Sequence, residues 1–327
     1  MLDVLTLFVF NIIVYSIPLL YGTCGEILTE KSGSLNLGVE GTMAIGAVLG
    51  YVAGCRADSL LVAVLVSFLA SGAAGLLFAF LTVSLQANQN VTGLTITTFG
   101  VAFYYFIGNG LGNNWPSLND AASLKASFSQ IEIPLLSKIP FFGKAFFSHS
   151  ILIYFGILIA ILMWVYLNKT VPGLKVRAIG ENPAAADSLG INVTAYKYIH
   201  IIVGSGIMGI GGLYMGLNMG GTFEGSNCWI NGYGWIAVAL VIFANWNPAM
   251  AILGTFVFGF FNTLRVYSGA LANTFGFLQW MTAIPSHFFS ALPFIITMLV
   301  LIIDSVRKNK HSAEPAAKGL NYYREDR

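Results

Sequence analysis

The sequence predicts an all-α membrane protein, a polytopic helical bundle of roughly 8–10 helices with discontinuous or re-entrant pieces and one short cytoplasmic helix. Three observations carry that prediction. First, the 327 residues are 56% hydrophobic and only 9% charged, with a mean hydropathy of +0.75. No polar shell of ordinary thickness can be built from them, so the surface must face lipid. Second, apolar runs near the ~20 residues needed to cross a bilayer recur along the chain, from Leu5 almost to Asp304. Third, polar and glycine-bearing words break the runs at Ser32 to Gly41 and at Asn245-Trp246-Asn247-Pro248. Backbone freed at such breaks is tolerated in a membrane only where protein or a cavity surrounds it.

Taken in order, the first run, Val4 to Thr23, follows Asp3 rather than basic residues and ends without a small-x-small cleavage site, so it reads as a retained span. Further spans are expected at 37–53, 59–84, 90–112, 149–168, 195–219, 233–244, 249–267 and 288–303. The 12-residue run 233–244 is too short to cross alone and reads as a half-helix, a re-entrant element or part of a tilted helix starting near Trp229. The membrane domain then covers 1–303 and a cytoplasmic tail 304–327.

Lys169, Lys175, Arg177 and Lys197 outweigh Glu181 and Asp187 in the loop 169–197, and Arg307, Lys308 and Lys310 follow the last run. The positive-inside rule places both segments in the cytoplasm. The stretch 113–148 is then external, an interfacial loop with a short surface-lying segment. The side of the N-terminus stays open. Gly46, Gly50 and Gly54, like Gly212, Gly216 and Gly220, recur every four residues and predict close helix packing within the bundle. Arg265 is expected to snorkel near the external end of its span.

Several chemistries are excluded. No G-x-x-x-x-G-K-[ST] loop is present, so ATP coupling would have to come from another polypeptide. Cys24, Cys55 and Cys228 lack CxxC spacing, and no metal site is expected. His149, His200, His287 and His311 lie far apart, at expected helix ends or in the tail, without an accompanying nucleophile or carboxylate motif. A net charge of +2 gives no footprint for nucleic acid.

The cytoplasmic loop contains a helix with explicit punctuation. Asn182 suits the N-cap, Pro183 the first position, three alanines propagate, and Gly190 suits the left-handed C′ position. Ala184, Ala185 and Leu189 would expose an apolar face, which favours a docking element over a plain capped loop.

Three words carry a resemblance: Glu30-Lys31-Ser32-Gly33-Ser34-Leu35-Asn36-Leu37-Gly38-Val39-Glu40-Gly41, the stretch Arg177 to Asn192, and Gly232-Tyr233-Gly234-Trp235-Ile236-Ala237-Val238-Ala239 leading to Asn245-Trp246-Asn247-Pro248. The chain resembles, nearly end to end, the permeases of ABC importers for ribose-type sugars and nucleosides, the branched-chain or simple-sugar type. The resemblance implies a cytoplasmic coupling helix at 183–189 seated in an ATPase cleft, with Glu181, Asn182, Pro183, Ala184, Ala185, Asp187 and Gly190 as coupling residues. It implies no cofactor in this chain, ATP and Mg on the partner ATPase, and an extracytoplasmic substrate-binding protein. The form Asn36-Leu37-Gly38-Val39-Glu40-Gly41 resembles the nucleoside branch more than the sugar branch; nucleoside systems of this type pair two different permeases, and the chain resembles the smaller partner, which implies a heterodimer with a second, paralogous permease. A riboflavin branch shares much of this pattern.

Substrate-pathway residues are expected where helices break. Glu40 falls in the first turn of its span, where a carboxylate gains about 0.3–1 kcal/mol from the helix dipole, so capping and a pathway role both fit it. Asn36 carries the same two readings. In the cluster from Asn88 to Phe99, Asn90, Thr95 and Phe99 are candidates for a polar and aromatic lining, although threonine hydroxyls in membrane helices commonly bond their own i−4 carbonyls. Asn262 serves either a helix contact or the pathway. An ion-coupled carrier is the alternative from another class, and it usually places ionisable groups well inside its spans; only Glu40 and Arg265 qualify in this reading. A tail position such as Lys318 is expected to take no part.

Overall fold

The computed structural model describes residues 2–323 except 133–136, 138, 140–141, 224, 226, 286–287, 290, 293, 297, 300–301 and 303–313. Among the described residues, eight apolar helices organise it: α1 (Leu2–Lys31), α2 (Val39–Ala57), α3 (Leu60–Ala79), α4 (Gln89–Leu111), α7 (Ile151–Lys169), α10 (Val193–Asn218), the short α11 (Tyr233–Phe243) and α12 (Pro248–Thr274). All but α2 and α11 are long and apolar enough to cross a membrane. Of the expected span 288–303, residues 290, 293, 297, 300–301 and 303 lie outside the described residues, and the others are helical.

Helix α1 runs eight residues beyond its expected end at Thr23. The extension carries Glu26, Thr29 and Glu30, which a hydropathy reading rejects, yet all three are buried in protein rather than lipid. α2 and α10 form the centre, α2 packing against α3, α10 and α4. Small residues let them approach. A Cβ on Gly46 would strike Gly209 and Ser71, one on Gly50 would strike Ser67, and one on Gly212 would strike the Met43 carbonyl. The two glycine series therefore work as packing stripes with one exception. Gly220 has φ +70° and open space around it, and belongs to the turn after α10.

The external stretch is more structured than a loop with one surface segment. It holds α5 (Ala122–Phe128), α6 (Phe142–Phe147) and an antiparallel ribbon of β1 (Gln130–Glu132) and β2 (Ser148–Ser150). Within β2, His149 is buried and stacks on Phe10 of α1 with ring centroids 4.4 Å apart. Asp58 ends α2 in the left-handed conformation and accepts the Leu124 amide at 2.9 Å, which holds its carboxyl below the usual carboxylate range and ties α2 to α5.

An aromatic cluster absent from the sequence reading locks this end. Trp229 meets Tyr51, Tyr104 and Trp115 edge-on at 5.2, 5.4 and 5.8 Å, and Phe223 packs on both Tyr104 and Trp115. The indole N–H groups of Trp115 and Trp229 donate to the Gly221 and Thr222 carbonyls, both at 2.8 Å. The rings are scattered over four chain segments, so no local pattern shows them. Trp229→Ala removes a side chain in a well-packed site, a change that costs ~3–5 kcal/mol. The Tm of the solubilised protein is expected to fall by roughly 5 °C or more, measured by a fluorescence-based melt. An unchanged Tm would show that the cluster does not hold the external end together.

Candidate functional site

Between α1 and α2 the chain leaves helical geometry for residues 32–38 and stays buried. Side chains satisfy the freed backbone, as membrane depth requires. The Ser32 hydroxyl donates to the Thr29 carbonyl at 2.7 Å, the Leu35 amide to Gln89 Oε1 at 2.7 Å, and the Asn36 amide to Glu26 Oε1 at 3.0 Å. Asn36 Oδ1 accepts the Gly38 amide at 2.8 Å, and the Thr97 hydroxyl donates to the Leu37 carbonyl at 2.9 Å. Asn36 is thus a turn-former, with its Nδ2 buried and unpartnered among the described residues.

Glu40, in the first turn of α2, reaches the start of α11. Its Oε1 accepts the Gly232 amide at 2.6 Å and its Oε2 the Gly234 amide at 2.7 Å. A carboxylate placed on otherwise orphaned N-terminal amides complements the helix dipole. Gly232 has φ +91°, a left-handed conformation open to glycine. A Cβ on Gly234 would collide with the Glu40 backbone. The word Gly-Tyr-Gly is therefore the receptor for Glu40. Asn262 joins the same place from α12: its Nδ2 donates to the Tyr233 hydroxyl at 2.8 Å, and its Oδ1 accepts from Arg265 at 3.2 Å. Arg265 is consequently a partner of Asn262 and not simply a snorkelling side chain.

α11 is a half-helix lying parallel to α1. The Thr23 hydroxyl donates to the Ala237 carbonyl at 3.3 Å, and in the turn after α11 the Trp246 indole donates to Glu30 near the end of α1. Since Glu30 is one residue from the cytoplasmic end of α1, the Glu40-capped start of α11 lies deep in the bundle. Two broken segments, 32–38 and the approach to α11, meet there. Such junctions present helix-end dipoles and backbone groups inside a bilayer, which suits a polar solute.

The structure does not bring Thr95 and Phe99 to this junction. The face of α4 against Gly41 is formed by Ile96, Thr97 and Gly100. Thr95 and Phe99 are exposed on the other side, and Asn90 is exposed in the first turn of α4. The Thr95 hydroxyl returns to the Val91 carbonyl at 2.8 Å, and Phe99 stacks on Phe103.

Sequence reasoning also missed Glu26 and Glu30, buried and four residues apart on α1. The reading that only Glu40 and Arg265 are ionisable groups within spans is corrected accordingly; the premature end assigned to α1 hid the pair. Lys197, counted there as a loop charge, is buried in α10. His200 lies in the second turn of α10 rather than at its end, and hydrogen-bonds the Tyr166 hydroxyl and the Tyr196 carbonyl. His287 and His311 lie outside the described residues.

At the cytoplasmic end, the expected single helix is two. α8 (Val171–Glu181) is capped by the Thr170 hydroxyl, which accepts the Gly173 amide at 3.1 Å. Thr-x-Pro was its visible signal. After Asn182, α9 (Pro183–Ser188) follows, with Asn182 Oδ1 accepting the Ala185 amide at 2.9 Å and Gly190 at φ +78°. Ala185 is exposed and Leu189 is 81% exposed, while Ala184 is half-buried. Asp187 and Glu181 bond to the C-terminal segment: Asp187 accepts the Tyr322 hydroxyl at 2.8 Å, and Glu181 accepts the Ala316 amide at 3.4 Å. Lys318 is not a bystander, since it pairs with Glu30 at 3.5 Å and lies 4.6 Å over the Trp246 ring.

The sequence profile of a family described as branched-chain amino acid transport system / permease component matches residues 8–301. The chain belongs to that permease family. Curated relatives cover it almost entirely. It is 33% identical over 98% of both chains to the nucleoside ABC transporter permease protein NupC of Lactococcus lactis subsp. cremoris. It is 32% identical to the guanosine ABC transporter permease protein NupQ of Bacillus subtilis, covering 97% of this chain and 98% of that one. It is 31% identical over 94% of both to a putative glucose ABC transporter permease protein, TsgC13, of Haloferax volcanii. No solved structure matches the chain. The permease is therefore a multi-pass membrane subunit of an ABC transporter, a transport component rather than an enzyme, and its family works with an ATPase and a substrate-binding partner.

Proposed function

We propose that this permease imports nucleosides by alternating access, as one half of a heterodimer with a second, paralogous permease, with ATP and Mg held by a partner ATPase. The observation that carries the reading is the end-to-end similarity to relatives named for nucleoside and guanosine transport. The junction of residues 32–38 with the start of α11 supports it, because a permease must hold a polar solute transiently and release it. Glu40 and Asn262 belong to that junction by building it. Thr95 and Phe99 share a separate exposed face of α4, and Asn90 is exposed in its first turn; all three are available to substrate or to the second permease.

The docking element is α9 with Leu189, where rigid caps define a knob and exposed apolar side chains offer a face to a partner. Asn182, Pro183 and Gly190 shape the knob. Ala184, Ala185 and Leu189 supply its surface.

A sugar substrate is the second reading, favoured by the Haloferax relative. Reconstitution of the permease pair, ATPase and binding protein in liposomes decides between them. ATP-dependent uptake of labelled guanosine, competed by other nucleosides and not by glucose, ribose or riboflavin, is expected. Competition by glucose or ribose instead would transfer the assignment to sugars. Accumulation by the chain alone under a proton or sodium gradient would overturn the ABC reading.

A further inference from the structure

Residues 314–323 return to the cytoplasmic end of the bundle and fasten three elements together. The first is α8: the Ala317 amide donates to the Gly180 carbonyl at 2.9 Å. The second is the coupling helix α9. The Tyr322 hydroxyl donates to Asp187 at 2.8 Å, and its side chain packs against Ile179, Ala186 and Val193. The third is the turn that opens α4. Asn321 Nδ2 donates to the Gln86 and Ala87 carbonyls at 2.6 and 3.1 Å, its Oδ1 accepts from Gln89 Nε2 at 2.9 Å, and Gln86 Nε2 donates to the Tyr322 carbonyl at 3.2 Å.

Gln89 extends the line. Its other amide atom, Oε1, accepts the Leu35 amide within the interrupted stretch 32–38. A continuous path therefore leads from Asp187 on α9 through Tyr322, Asn321 and Gln89 to Leu35, one residue before Asn36 and five before Glu40. The two tail residues are adjacent in sequence, so the separation between their grips on α9 and on α4 is set by one peptide unit. Lys318 adds a fourth anchor, at Glu30 on α1 and at Trp246 in the turn between α11 and α12, beside the same junction.

We propose that the C-terminal segment transmits the movement of α9 to the broken stretch between α1 and α2, with Tyr322 and Asn321 as positioning residues. A packed, hydrogen-bonded connector of this kind carries coupling when the elements it joins have two discrete arrangements. The inference rests on the proposed role of α9 in ATPase docking. It goes beyond that role, because docking alone needs no tail.

The test uses the full reconstituted complex with three variants: Tyr322→Phe, Asn321→Ala and truncation after Ala313. Complex yield and basal ATP hydrolysis are expected to stay within about twofold, while substrate-stimulated hydrolysis and guanosine taken up per ATP fall about fivefold, the effect of a coupling loss near 1 kcal/mol. A clamp that only stabilises the fold would lower yield and basal activity in proportion to uptake, which would overturn the proposal. If the truncated chain does not assemble, Tyr322→Phe and Asn321→Ala decide, and wild-type coupling in both sinks it. Hydrogen exchange at residues 32–38 in the solubilised chain alone separates this failure from failure of the transport reading, since it requires neither ATPase nor substrate. Truncation is expected to speed exchange there, and unchanged exchange would overturn the proposal independently of any transport result.

Discussion

Ala185→Glu is expected to cut association with the ATPase by tenfold or more while leaving the membrane bundle intact. Ala185 sits exposed on α9, between the N-cap at Asn182 and the exposed Leu189, so its methyl marks where a partner surface can approach closely. A carboxylate pressed into such an interface is desolvated without a partner, and unpaired buried charge costs several kcal/mol. At 1.4 kcal/mol per decade even the low end of that range gives a tenfold weaker complex. The helix itself tolerates the change, because Ala185 has no side-chain partner within the chain and glutamate is a good helix former near an N-terminus. The measurement is ATPase co-purification and hydrolysis in the reconstituted complex, with Lys144→Glu on the exposed external helix α6 as the control. Lys318 cannot serve as that control, because it pairs with Glu30. Full ATPase association in the Ala185 variant, with cross-links found at another loop, would remove α9 from the interface.

Much of this architecture was legible because lipid-facing helices announce themselves by length and apolarity. The punctuation of α9 was readable from Asn182, Pro183 and Gly190, since caps are local chemistry. The break at Ser32 to Gly41 was readable for the same reason, and so was the shortness of 233–244, though the choice among half-helix, re-entrant element and tilted helix was not. What could not be read were relations between distant segments. Glu40 gave two readings until Gly232 and Gly234 were found 192 and 194 residues away on its carboxylate. Glu26 and Glu30 were lost when α1 was cut short, because a hydropathy window assumes lipid around a helix where here there is protein. Thr95 and Phe99, one helical turn apart, share an exposed face of α4, but nothing in a helical period says which neighbour that face meets. The tail read as a charged appendage, and its anchors lie on α1, α4, α8 and α9.

Gly234→Ala is expected to be strongly disruptive, and the comparison with Glu40 variants assigns the cause. The added methyl would strike the amide and Cα of Glu40, which are backbone atoms in a helix and cannot swing aside. The first turn of α11 must retreat instead. Overpacking of this sort costs about 1–3 kcal/mol, and stretching two hydrogen bonds to a carboxylate adds ~1.5–3 kcal/mol for each. The sum approaches the whole stability of a marginal fold, ~5–15 kcal/mol. Complex yield is therefore expected to fall at least tenfold, with uptake falling in parallel. Glu40→Gln is milder: volume is kept and one oxygen still accepts, but the amide nitrogen is set against a backbone N–H, donor to donor. That mismatch costs about 1–3 kcal/mol, enough to lower the Tm of the purified chain and to reduce uptake while a measurable fraction assembles. Glu40→Asp retains charge but is too short to reach both glycine amides, and is expected to fall between wild type and Gln. Yield, Tm and uptake per assembled complex are measured for all three. If uptake per complex stays at the wild-type level, Glu40 acts only as the cap of α11. If it collapses in Glu40→Gln at unchanged Tm, the carboxylate acts on the passing substrate as well. A Gly234→Ala chain with normal yield and Tm would show that α11 does not depend on Glu40 at all.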